Sequence, residues 1–125
     1  MIKILFVEDE PDIVYFMVNF LKEKGYEAIP ATSGKEALKL LQEDRFNLAI
    51  IDLILPDMNG NDLCAMIRHD KKTKQLPIII STGIGDSFTQ GISKDLGVNQ
   101  FLNKPYTAEN LCLAIENCLG TQKER

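Results

Sequence analysis

Asn47–Gly60 reads NLAIIDLILPDMNG, and this stretch decides the fold. Leu48–Ile51 is an apolar run too short for a helix and bounded by turn residues. An unalternating run of that kind is how a strand buried on both faces reads. Asp52 follows it directly. A carboxylate at the mouth of a buried strand costs free energy unless something pairs with it. Pro56, Asp57, Asn59 and Gly60 then break the backbone into a loop. One acid thus stands on a rigid strand end with a loop beside it, and the question is what else arrives there.

Upstream, Ile2–Val7 reads as another buried strand and ends in Glu8-Asp9-Glu10. Pro11 suits the first turn of a helix, with acids before it favoured by the helix dipole. Ile13, Phe16, Met17, Phe20 and Leu21 repeat at helical spacing and are expected to fill a core stripe; Gly25 closes the helix. Val14 and Val18, four apart with Tyr15 nearby, fall on a second face expected to be exposed. Tyr26–Ala31 reads as a second strand. Ser33-Gly34-Lys35-Glu36 matches a capping box, opening a helix that carries Ala37, Leu38, Leu40 and Leu41 to about Asp44.

Downstream of Gly60, Leu63, Met66 and Ile67 mark a third helix. Arg68–Gln75 reads as a polar surface connection whose lysines form a solvated face. Pro77–Thr82 is a fourth, unalternating strand. Asp86 or Ser87 caps a fourth helix carrying Phe88, Ile92 and Leu96, weakened by Gly91, which costs about 1 kcal/mol relative to Ala. Val98–Asn103 is the fifth strand, broken by Lys104-Pro105-Tyr106. Thr107 caps a last helix carrying Leu111, Ile115 and Leu119, and the tail after Gly120 reads as polar and frayed.

The 125 residues amount to one domain, expected over residues 1–121 with a polar tail at 122–125. The apolar fraction of 45% is enough for a core. A net charge of −4 argues against a general binder of nucleic acid or anionic membrane. Cys64, Cys112 and Cys118 are odd in number and sit in helical segments, which suits buried or half-buried thiols in a reducing compartment. The lone His69 cannot complete a zinc site with them. The N-terminus MIKILFVED has too short an apolar run for a signal peptide or a membrane span, so a cytoplasmic location is expected.

Buried strands alternating with helices mean an α/β sheet of parallel strands. Right-handed crossovers put all the strands' carboxyl ends on one edge, where such sheets carry their function. Strand one delivers Glu8 and Asp9 to that edge, strand three Asp52, strand four Thr82 and strand five Lys104. Singly, each has an ordinary reading as a cap, a strand-end hydroxyl or a solvated charge. Together they are a stronger signal. If strands one and three are neighbours, three carboxylates crowd together and repel unless a cation sits among them, and Mg²⁺, a hard ion with oxygen ligands, is the natural one. Lys104 and Thr82 suit phosphoryl oxygens. An Asp nucleophile, Mg²⁺ and a Lys make an aspartyl-phosphate site.

The chain resembles the receiver domain of two-component response regulators, of the stand-alone chemotaxis-regulator type. The likeness runs from Lys3 to about Leu119 through VEDE (Val7–Glu10), DLILPDMNG (Asp52–Gly60), PIIIST (Pro77–Thr82) and FLNKPYT (Phe101–Thr107). It implies a flavodoxin-like, doubly wound (βα)5 fold with a five-stranded parallel sheet in the order 2-1-3-4-5. It implies that Asp52 accepts a phosphoryl group from a partner phosphohistidine, on a sensor histidine kinase or a histidine phosphotransfer protein. Asp9, Asp52 and the main-chain carbonyl of Ile54 then hold Mg²⁺, with Glu8 helping through water. Thr82 and Lys104 contact the phosphoryl group, Thr82 and Phe101 form the switch, and a cis bond precedes Pro105. The positions flanking the phosphoryl group are Ile54 and Ile84, which cannot hydrogen-bond a water and are expected to give a slow loss of phosphate. Val14, Tyr15 and Val18 are expected to dock the histidine-bearing partner.

The sequence departs from the commoner pattern at Glu8 (for Asp), Leu55 (for Met) and Gly83 (for Ala). With no output domain expected after the last helix, such a receiver signals by binding a downstream protein or by phosphorelay, as a monomer or a phosphorylation-dependent dimer, without contacting nucleic acid or membrane directly. The rivals are a receiver module of a longer regulator and, less in keeping with EDEP where a Gly-rich phosphate loop would stand, a flavodoxin-like enzyme or flavin binder.

Overall fold

The computed structural model describes residues 1–83 and 95–123. The chain runs β1 (Lys3–Val7), α1 (Pro11–Glu23), β2 (Glu27–Ala31), α2 (Gly34–Glu43), β3 (Leu48–Asp52), α3 (Gly60–His69), β4 (Ile78–Thr82), β5 (Gln100–Asn103) and α4 (Ala108–Lys123). The helix expected from Phe88 and Ile92 lies outside the described residues. The strands form one five-stranded sheet in the order β2-β1-β3-β4-β5, every pair parallel. This is the doubly wound arrangement, with the strand order reversing between β1 and β3.

The apolar runs become strands because helices cover both faces of the sheet. All five residues of β3 and all five of β4 are buried. Alternate side chains then feed two cores. Leu5, Val7, Ala49, Ile51, Ile78 and Ile80 pack with Leu41, Leu63 and Ile67 of α2 and α3. Ile4, Phe6, Leu48, Ile50 and Ile79 pack with Met17, Leu21, Leu111 and Ile115 of α1 and α4.

The ends of the helices follow their local chemistry. Pro11 stands in the first turn of α1, and Gly25, at φ +90°, turns the chain out of it. Ser33 Oγ accepts from the Glu36 amide at 3.0 Å, while the Glu36 carboxylate accepts from the Thr32 amide at 2.7 Å, one residue earlier than a strict capping box. Thr107 Oγ1 accepts from the Asn110 amide at 3.0 Å at the start of α4.

Four expectations need correction. Phe16 is not core: it is 59% exposed, because the stripe of α1 that meets the sheet is centred on Met17 and Leu21. Val14 and Val18 are half-buried rather than exposed. Arg68, read as the start of the surface connection, belongs to α3 and is half-buried. Finally, α4 continues through Lys123, across the stretch read as a frayed tail.

Candidate functional site

The sheet's backbone ladder runs one residue past several strands and fixes what lies at the carboxyl edge. The Glu8 amide donates to Ala31 O at 2.9 Å, the Leu53 amide to Ser81 O at 2.9 Å, and the Lys104 amide to Thr82 O at 2.7 Å. Val7 is in register with Ile51, and Asp52 with Ser81. Glu8 and Asp52 therefore stand side by side where the strand order reverses, and β5 delivers Lys104 to the same place.

Glu8 and Asp52 are only 3% and 8% exposed, whereas Asp9 is exposed. Carboxylate oxygens of Glu8, Asp9 and Asp52 lie within 4.8 Å of one another. Lys104 Nζ donates to Asp52 Oδ2 at 2.7 Å and to Glu8 Oε1 at 3.1 Å. The remaining oxygens are held from the backbone. The Ile54 amide donates to Asp52 Oδ1 at 3.1 Å, and the Glu10 amide to Glu8 Oε2 at 3.1 Å. Burial pushes the Glu8 carboxyl up, against its hydrogen bonds from the Glu10 amide and Lys104. Burial works to lower the Lys104 ammonium, but its hydrogen bonds to Asp52 and Glu8 outweigh that and raise it. Two buried carboxylates thus share one cation.

This donor set fits a hard divalent ion. It offers three carboxylates, all oxygen, two of them preset by backbone donors and the third on an exposed, adjustable side chain. Lys104 already shows that the pair needs positive charge.

Thr82, 1% exposed, ends β4, and its hydroxyl lies 3.3 Å from Gly83 O. Phe101 on β5 is half-buried against the core of the α2/α3 face. The Lys104–Pro105 peptide bond is cis. Ile54 is 75% exposed on the loop after β3; Ile84 lies outside the described residues. Val14, Tyr15 and Val18 are not at the carboxylate cluster. With Asp9, Pro11 and Pro30 they line a shallow groove of about 370 Å³, whose wall is apolar and whose end at Asp9 meets the acidic edge.

Two residues that the sequence reading passed over make anchoring main-chain contacts, Asp57 on the loop after β3 and Arg68 at the opposite, amino end of β4 and β5. Asp57, read only as a loop former, accepts from the amides of Gly34 and Lys35, each at 2.9 Å. Arg68 donates to four main-chain carbonyls, those of Leu96 (2.8 Å), Gly97 (3.0 Å), Lys74 (3.1 Å) and Leu76 (2.7 Å). It ties α3 to the chain entering β5. Neither carries a sequence signal, since the partners of both are backbone atoms, which have no side-chain signature.

The family profile for the response regulator receiver domain matches residues 4–116. The response regulator ArlR of Staphylococcus saprophyticus is 32% identical over 125 residues, covering 100% of this chain and 56% of that protein. The chain spans about half the length, or less, of the first curated relatives it matches. Among solved structures, a response regulator receiver domain from Clostridium thermocellum superposes with a TM-score of 0.90 at 31% identity, covering 98% of each chain. The chemotaxis protein CheY4 of Vibrio cholerae gives 0.89 at 30% identity, covering 94% of this chain and 98% of that one.

Proposed function

Because the chain belongs to the response regulator receiver domain family, whose members are phosphoacceptor signalling modules, we propose that Asp52 is its acceptor. The observation that supports this is the Asp52 carboxylate, buried at the strand-order reversal and paired with Lys104 at 2.7 Å. A carboxylate oxygen of Asp52 attacks the phosphorus of a partner's phosphohistidine. The new O–P bond forms as the P–N bond breaks, and the imidazole nitrogen leaves with the electron pair. Lys104 exchanges its contact with the carboxylate for one with phosphoryl oxygens, and the Thr82 hydroxyl donates to another.

Asp9, Asp52 and the Ile54 carbonyl would hold Mg²⁺, with Glu8 acting through water. When bound, the ion would supply positive charge that offsets the carboxylates and the transferred phosphoryl group. The phosphodonor is a sensor histidine kinase or histidine phosphotransfer protein seated on the Val14–Tyr15–Val18 groove. The signal leaves through the Thr82–Phe101 switch to a downstream protein, or by phosphorelay. Among the described residues no helix is long and apolar enough to cross a membrane.

Intact mass after incubation with acetyl phosphate and Mg²⁺ tests the assignment. Wild type gains one phosphoryl mass, and Asp52→Asn gains none. Stoichiometric labelling of the Asn variant refutes Asp52 as the acceptor.

A further inference from the structure

The loop from Leu53 to Asn59 is fastened to a helix on the far side of the sheet's edge. Asp57 places one carboxylate oxygen on each of two backbone donors: Gly34 N to Oδ1 and Lys35 N to Oδ2, both at 2.9 Å. These amides open α2 and have no partner within the helix. The positive end of the helix dipole strengthens both bonds. The next two amides of the turn are satisfied separately, by Ser33 Oγ for Glu36 and Ser33 O for Ala37. Asp57 is therefore a cap supplied from a different element.

The following residue completes the fastening. Met58 lies close over Gly34, so that a Cβ there would push the flexible end of its thioether side chain aside. The loop then closes on itself. Ile54 and Asn59 form an antiparallel bridge, and the Gly60 amide donates to Leu53 O at 2.6 Å. A Cβ on Gly60 would stand 2.7 Å from Asp52 O, a backbone atom that cannot step aside, so this closure needs glycine. Ile54 sits between the strand end and this buckle. Its side chain is exposed and contributes no anchoring of its own.

From this geometry we propose that Asp57 is a positioning residue for the metal site: by clasping α2 it fixes the main-chain carbonyl of Ile54 for the cation. The proposal rests on the reading of Ile54 O as a ligand given above. The clasp is charged through the neutral range, since its backbone donors hold the Asp57 carboxyl below the ordinary carboxylate range. Partners that orient a ligand commonly change metal affinity when removed, roughly tenfold or more.

The test compares Asp57→Ala, Asp57→Asn and Ser33→Ala with wild type, in Mg²⁺ titrations followed by backbone amide shifts and by Tm with and without Mg²⁺. Ser33→Ala weakens the same helix end but leaves the loop clasp intact. Asp57→Ala is expected to raise the Mg²⁺ half-saturation roughly tenfold and to shrink the Mg²⁺-induced rise in Tm. Asp57→Asn, which keeps one acceptor oxygen, falls between. Ser33→Ala lowers Tm equally with and without Mg²⁺ and leaves half-saturation unchanged. The proposal is overturned if Asp57→Ala binds Mg²⁺ like wild type, or if Ser33→Ala weakens binding as much. Failure of the underlying site reading appears differently, as a wild type with no saturable Mg²⁺ response, or one that Asp9→Asn leaves intact.

Discussion

Lys104 is the residue on which the resting electrostatics of the site turn. It neutralises two carboxylates that the fold has buried together. Removing one member of such a set leaves charge uncompensated. Breaking a fully buried pair costs ~3–5 kcal/mol, and the 29% exposure of the Lys104 side chain reduces this to about 2 kcal/mol. Lys104→Met should lower Tm in Mg²⁺-free buffer by roughly 5–10 °C, and Mg²⁺ should recover more stability in the variant than in wild type. The pH dependence follows from Glu8, whose carboxyl burial raises and whose contact with Lys104 lowers. Without the lysine the raised value climbs further. A carboxyl raised in the folded state contributes stability that is present below its ordinary range and lost as pH rises through the folded value. The Tm gap between variant and wild type should therefore be widest near neutrality and close as pH falls through the raised Glu8 range. A constant gap would remove Glu8 from the argument. At the neighbouring position, Ile54 presents an apolar, 75% exposed side chain where a polar one would hold a hydrolytic water. Ile54→Asn is expected to shorten the lifetime of the phosphorylated protein severalfold, read as first-order loss of phosphate in Mg²⁺. An unchanged decay would show that Ile54 does not set it.

At the scale of elements, α1 has one face in the core and one beside the acidic edge. Met17 and Leu21 are buried; Tyr15 is 75% exposed, between half-buried Val14 and Val18. Half-burial makes the two valines the wall of a groove rather than isolated surface residues, which suits a helix from a partner. Replacing Val14 and Val18 together with lysine should sharply reduce phosphotransfer from a kinase. Labelling by acetyl phosphate should persist, because that small donor needs no docking. Transfer at the wild-type rate would leave the groove without a role. The helix also shows where sequence pattern stops being informative. Helical spacing places Phe16 with Met17 and Phe20, yet Phe16 stacks on Phe20 from outside, with ring centroids 6.5 Å apart. The apolar period identifies the helix, but which edge of the stripe is covered depends on packing against the sheet, which here buries Met17 and Leu21. Arg68 makes the complementary point. Its position beside a lysine-rich loop suggests a solvated charge, but its guanidinium is spent on four carbonyls. Main-chain partners have no side-chain signature, so neither this clamp nor the Asp57 clasp was legible. The positions of Glu8, Asp9, Asp52, Thr82 and Lys104 were legible because each stands at or just past the end of a strand, and a parallel sheet brings all strand ends to one edge.

At the scale of the molecule, that edge has to communicate with surfaces it does not touch. The sheet is buried on both faces, so a change at its carboxyl end travels through strand ends and the side chains between them. Thr82 and Phe101 are suited to this. Thr82 lies on β4 and Phe101 on the adjacent β5, with Phe101 in register with Ile80. The Thr82 hydroxyl is buried with a 3.3 Å contact to Gly83 O, a weak interaction that a phosphoryl oxygen can displace. A hydrogen bond to a charged group contributes about 1.5–3 kcal/mol, enough to shift a two-state equilibrium by about one to two decades. If phosphorylation draws the hydroxyl toward the phosphoryl group, the half-buried Phe101 ring is expected to move inward. Such a movement is expected to reshape the groove of about 440 Å³ lined by Phe101, Asn103, Tyr106 and Leu113 between β5 and α4. Thr82→Ala is thus expected to accept phosphate from acetyl phosphate, because Asp52 and Lys104 are untouched, but to lose the response at a distance. In NMR spectra recorded before and after phosphorylation, wild type should show large shifts at Phe101 and along α4. The variant should show shifts confined to the residues around Asp52. A variant that moves Phe101 as fully as wild type does would break the link between the threonine hydroxyl and the ring, and the signal would have to leave the site by another route.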